Sequence, residues 1–170
     1  ALRDFPSTRM HIVGVTGTNG KTTTAHLLAE ILRTHGWKTE VIGTLTGTRT
    51  TPESTDLQRV LSAWERDGVE AVVMEVTSHA LELYRVMGTT FEAAVFTNLS
   101  QDHLDFHHTM EKYFAAKAKL FTKEFSACAI INRDDVHGQL LLDTVTIDAK
   151  SFGLSDISEV RMDARHIEYE

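Results

Sequence analysis

The stretch HIVGVTGTNGKTTTAHLLAEILRTHG, residues 11–36, decides the fold. It opens on the β-branched run His11 to Val15, passes a glycine-containing turn, and continues as the helical pattern Thr22 to His35 with Gly36 as its stop. Within the turn, Gly17, Thr18, Asn19, Gly20, Lys21, Thr22 and Thr23 stand between strand and helix, where inward-turned N–H groups and a helix N-terminus together make an anion site. Glycine permits the positive φ that this geometry needs. The pattern predicts that Lys21 reaches the β- and γ-phosphates of a nucleotide and that the Thr22 hydroxyl ligates Mg²⁺. The general P-loop has a glycine five positions before Gly20, where Val15 stands here, and this departure argues against an ordinary GTPase or kinase.

Outward from this unit the same alternation repeats. Thr39 to Ile42 reads as a strand, Thr44 to Glu53 as a Thr- and Gly-rich loop broken by Pro52, and Leu57, Val60, Leu61 and Trp64 as one face of a helix, capped by Ser54 or Thr55 and ended by Gly68. Ala71 to Val76 is a continuous apolar run of the kind a parallel sheet covers on both faces. A short helical stretch near Ser78 to Tyr84, a strand at Ala93 to Thr97, a helix at Met110 to Phe121 with Thr109 as its cap, and a strand at Ala127 to Asn132 follow. The series predicts an α/β fold: a doubly wound, mostly parallel sheet in three α/β/α layers, with the phosphate loop at its first turn.

Composition narrows the function. With 42% hydrophobic and 24% charged residues over 170 positions, the chain reads as one water-soluble domain, and no apolar run approaches a membrane span. A net charge of −7 speaks against a nucleic-acid-coating surface, while leaving room for a small anion held by local donors. Cys128, the single cysteine, sits in ACAII and reads as a buried structural thiol, consistent with a cytoplasmic protein. Residues 1–9 read as a linker into the first strand, and RMDARHIEYE at residues 161–170 alternates like a strand, so both ends read as boundaries cut from something longer.

Candidate chemistry gathers where the strands end. Glu75 closes the apolar strand at the sheet edge that collects ligands in open α/β folds, and its carboxylate suits Mg²⁺. NLSQDHLDFHH brings Asn98, Asp102, His103, Asp105, His107 and His108; without an HExxH pattern or a cysteine partner it does not read as zinc, and His107 and His108 read as loop residues in solvent. Lys117 lies on the following helix among alanines, with Lys119 facing elsewhere.

TGTNGKTTT, TTPES at residues 50–54, MEVTSHAL at residues 74–81 with Arg85 beyond it, and FTNLSQDHLDFH through YFAAKAKLF resemble, in this order, the motifs of the Mur ligase superfamily, and among its members the muramyl-peptide ligases that add a third residue. The resemblance covers most of positions 10–121 and implies that residues 10–170 are part of a central ATP-binding domain, with the N- and C-terminal domains lying outside. It implies a carboxylate activated by the γ-phosphoryl of ATP and captured by an amine, joining L-lysine or meso-diaminopimelate to UDP-MurNAc-L-Ala-D-Glu. It also implies roles for single residues: Lys21, His103 and Lys117 as catalytic groups, and Thr22, Glu75, His103 and Lys117 as magnesium ligands, with Lys117 carbamylated to supply an anionic oxygen. Thr50, Thr51, Thr77 and Arg85 would grip the UDP-MurNAc-dipeptide. Thr77 stands where serine is more usual, Leu83 where some members have glutamine, and the Gly43 to Thr50 loop is short. The partners implied are that dipeptide substrate and a free amino acid, with no nucleic acid, no membrane and a monomeric enzyme. Two other readings are a different ligase of the superfamily, such as folylpolyglutamate synthase, and a noncatalytic nucleotide-binding module. A fragment of this size is expected not to turn over alone.

Overall fold

In the computed structural model, which describes residues 5–47, 49–154 and 157–161, seven parallel strands form one sheet in the order β2-β3-β1-β4-β5-β6-β7. The strands are β1 (His11–Thr16), β2 (Thr39–Ile42), β3 (Ala71–Glu75), β4 (Phe91–Phe96), β5 (Ser126–Asn132), β6 (Asp148–Gly153) and β7 (Val160–Arg161). Between them run α1 (Lys21–Thr34), α2 (Ser54–Arg66), α3 (Ser78–Glu82), α4 (Leu104–His107), α5 (Met110–Ala118) and α6 (Val136–Thr144). The expected α/β class and parallel sheet are as observed.

Strand order dictates where the helices lie. The crossover from β1 to β2 runs one way along the sheet and the later crossovers run the other way, so right-handed connections place them on opposite faces. Accordingly Leu57 and Leu61 of α2, Tyr113 of α5 and Leu141 of α6 join the larger core, while Ala25 and Ala29 of α1 join Val15, Val41 and Val73 on the other face. The chain reverses direction at β1, and in such sheets ligands gather outside the carboxyl ends at this point.

Several local details differ from the sequence expectations. The helix α1 ends as foreseen: Gly36 takes φ 91°, and Trp37 N donates to Leu32 O while Gly36 N donates to Arg33 O, closing a Schellman motif. For α2 the N-cap position is Glu53, with no side-chain cap, so neither Ser54 nor Thr55 caps it. Thr109 does cap α5, accepting from Lys112 N, and the helix tightens into a 3₁₀ turn at Lys119–Phe121. The expected linker is packed rather than free over the described part: Pro6 and Ser7 are buried, and Thr90 N donates to Ser7 Oγ at 3.1 Å. Cys128 is only partly buried, because β5 presents it on the sheet face opposite Ala129, and its thiol donates to Glu92 O. The strand expected at residues 161–170 falls outside the described residues beyond Arg161. No described helix is long and apolar enough to cross a membrane.

Candidate active site

The loop between β1 and α1 is fixed by the segment that follows β4. Thr18 N donates to Asn98 O at 2.9 Å, Asn19 N to Asn98 Oδ1 at 2.9 Å, and Thr97 Oγ1 to Asn19 O at 2.7 Å. Gly17 (φ 146°) must be glycine, since a Cβ there would fall 1.9 Å from Thr97 Oγ1. Gly20 (φ 82°) has open space instead, so its backbone is free to approach a ligand.

Lys21 folds back over this loop, its amine donating to Gly17 O at 3.0 Å and Thr18 O at 2.8 Å. Burial pulls its pKa below the usual lysine range against the opposing fields of Glu75 and Asp102. The same Gly17 carbonyl accepts from Lys117, whose Nζ lies 2.8 Å away and 4.7 Å from the Tyr113 ring centroid. Lys117 is 1% exposed, and burial, followed by the charge of Lys21, brings its pKa down to about 7 with Asp102 opposing. The uncharged, nucleophilic form of this amine is therefore within reach near neutral pH.

Glu75 is equally buried rather than a solvated strand end. Its carboxylate accepts from Thr22 Oγ1 at 3.0 Å and from Thr44 N at 2.8 Å, and Gly43 makes room for it, since a Cβ there would lie 2.2 Å from Oε1. These partners of the carboxylate are neutral donors, so a buried carboxyl group and a hydroxyl face the phosphate loop together. Such hard oxygen donors fit Mg²⁺, which lends itself to a site completed by phosphate oxygens. Among the described residues no three or more His, Cys, Asp or Glu side chains are arranged to hold a metal by themselves.

One cavity of about 740 Å³ collects most of the expected residues: Thr18 to Thr23, Thr50, Thr51, Glu75, Thr77, Arg85 and His103. Gly17 and Lys117 lie outside its lining, joined to it through their shared carbonyl contact. Thr51 is 1% exposed, and its hydroxyl bonds to Glu75 O at 2.8 Å and Thr77 Oγ1 at 3.4 Å. Thr77 caps α3 by accepting from Ala80 N, and Thr50 Oγ1 lies 3.1 Å from Thr44 Oγ1.

His103 takes a left-handed φ of 51° at the N-cap of α4, set by Asp102 Oδ1 accepting its backbone N–H at 2.8 Å. Its ring meets His79 edge-on at 4.9 Å and Tyr113 at 6.0 Å. His107, expected in solvent, is instead buried at 4% exposure, with Nε2 2.9 Å from Ser78 Oγ; α4 turns it inward onto α3. Burial lowers the pKa of both His79 and His107; the field of His103 adds to this at His79, and that of His79 at His107. Lys119 does face away, pairing with Glu82 at 2.8 Å.

Sequence reading missed Thr44, Arg49 and His79, which also line the cavity, and Tyr113, which bonds Thr18 Oγ1 at 3.2 Å beneath the loop. His79 stands in MEVTSHAL but at no spacing that signals a ligand or a catalytic pair. Tyr113 read as ordinary helix packing.

This is a sheet-edge site in which a glycine-lined turn, one lysine and a hydroxyl-bound carboxylate face one cavity, with a second lysine buried behind the turn, a nucleotide-type P-loop fold. The chain belongs to the Mur ligase family: the Mur ligase middle domain matches residues 15–169. It is similar to UDP-N-acetylmuramoyl-L-alanyl-D-glutamate–2,6-diaminopimelate ligases, at 53% identity to that of Aquifex aeolicus over 81% of this chain and 30% of the relative. The Synechocystis sp. ligase of the same name is 48% identical over 87% of this chain and 31% of its own length. A solved structure of a ligase bearing this name superposes with a TM-score of 0.79 at 34% identity, covering 88% of this chain and 33% of that one. The chain thus spans about a third of the length of the relatives it matches.

Proposed function

We propose that this chain is the central nucleotide-binding part of a longer ATP-dependent ligase that joins a third amino acid, L-lysine or meso-diaminopimelate, to UDP-MurNAc-L-Ala-D-Glu in the cytoplasm. The observation that carries the reading is the convergence of Lys21, Thr22, Glu75 and His103 on one cavity, with Lys117 buried behind its loop. The names of the similar ligases supply the substrates.

On this reading Lys21 exchanges its loop carbonyls for phosphate oxygens, and the loop N–H groups orient the triphosphate. Thr22 and Glu75 would hold one Mg²⁺, and His103 with a carbamylated Lys117 a second, the metal supplying charge neutralisation at the transferring phosphoryl group. The depressed basicity of Lys117 suits addition of carbon dioxide to its free amine, which converts a hydrogen-bond donor into an oxygen ligand. Thr50, Thr51, Thr77 and Arg85 hold the acceptor, whose reacting carboxylate attacks the γ-phosphorus and displaces ADP; the incoming amine then attacks the acyl carbon, displaces phosphate and gives up a proton as the amide forms. Diaminopimelate is the third residue named in the relatives, and its reader lies outside this chain.

Lys117→Ala in the full-length ligase tests the reading. Amide formation should fall at least about a hundredfold, the scale of losing one preorganised electrostatic group, and a small added carboxylate should restore part of it. Unchanged turnover would remove Lys117 from the site.

A further inference from the structure

Arg49, which begins the short run before Thr50, lines the same cavity as Arg85, and both guanidiniums pair with one oxygen, Glu53 Oε1. The Arg85 contact is 3.1 Å, and the Arg49 contact is an ion pair four residues apart. Glu53 occupies the N-cap position of α2 and makes no capping hydrogen bond there. Its charge is spent instead on the two arginines.

Two guanidiniums repel one another unless an anion lies between them. Glu53 is not among the residues lining the cavity, whereas both arginines are. Arg85 keeps a buried Nε donor without a partner, and such a donor calls for an acceptor. With Lys21, the lining carries three fixed cations against the single carboxylate of Glu75, in a chain whose net charge is −7. The excess lies beside the Thr50, Thr51 and Thr77 hydroxyls, and the Arg49–Glu53 pair, about half exposed, adds little to stability.

We propose that Arg49 and Arg85 form a paired guanidinium seat for the acceptor carboxylate that does not react, with Glu53 as the positioning residue that holds them together. The inference rests on the acceptor reading given above and adds Arg49 and Glu53 to it. A planar fork matches a carboxylate bidentately, so two forks select an acceptor carrying a free carboxylate beside the one being activated.

The test uses the full-length ligase with two acceptors: the dipeptide nucleotide, and an analogue whose non-reacting carboxylate is a carboxamide. Arg49→Gln should raise KM for the natural acceptor about tenfold, near the lower end for one charge-assisted hydrogen bond, with KM for ATP at its wild-type value. The same variant should treat the carboxamide as wild type does. Glu53→Gln should raise acceptor KM in the same direction, and Arg49→Lys, which keeps the charge but loses the fork, should fall between. An acceptor KM unmoved by Arg49→Gln, or one raised equally for the carboxamide, overturns the seat. A wild-type enzyme inactive on both acceptors overturns the acceptor reading itself, a result the variants cannot mimic.

Discussion

Leu57, Leu61, Phe96 and Leu120 are fully buried among hydrocarbon, and Glu75 and Lys117, at the carboxyl edge of the same sheet, are just as buried while carrying ionisable groups. The first set gains free energy by leaving water, at about 25 cal/mol per Å² of apolar surface. The second set loses it, and is held in place by hydrogen bonds that satisfy the groups without making them favourable. Equal burial therefore means opposite things in the two regions: the apolar layer supplies the stability on which the edge draws.

The largest expected effect separates the regions by sign. Lys117 has its pKa brought from 10.5 down to about 7, so below about 7 it is charged both folded and unfolded and the full burial penalty applies. Between about 7 and 10.5 the folded amine is neutral while the unfolded one stays charged, so stability rises with pH across that window. Lys117→Met should remove this slope, making the variant more stable than wild type at pH 6 by roughly 3–5 kcal/mol, an advantage that shrinks toward pH 10.5, as urea titrations at several pH values would read. A slope identical to wild type would place the titration elsewhere.

Leu61→Ala should act in the other direction, costing about 3 kcal/mol at every pH through lost transfer energy and the cavity left behind. A shift in urea midpoint that tracks pH would break the contrast. The smallest effect sharpens it: Thr109→Ala removes the cap of α5, the helix that carries Lys117, and should cost about 1 kcal/mol in thermal unfolding without altering the pH slope.

How far the sequence reaches also divides along this line. The strands and helices were legible because period and punctuation are local: the β-branched run before Gly17, Gly36 as a stop and the uninterrupted strand at Ala71 each carry their own signal. The helix α6 and the strand β6 were not read, since VHGQLLLDT contains a glycine that packs onto Asn132 O, and DAKSFG alternates without strong apolar content. In the site, Lys21 and Thr22 were legible from spacing alone, and Glu75, His103 and Lys117 became so through resemblance. His107 was misread because its burial depends on Ser78, 29 residues away, and Arg49 with Glu53 went unread because their meaning comes only from Arg85.

Gly17 O carries the one contact common to both lysines. Because Lys21 and Lys117 hang from the same backbone oxygen, 100 positions separating the glycine from the second amine, any anion that draws Lys21 away leaves Lys117 as that carbonyl's remaining lysine donor. The phosphate-loop lysine and the buried amine thus compete for the lone pairs of a single oxygen, two side chains far apart in the chain tethered to one peptide group.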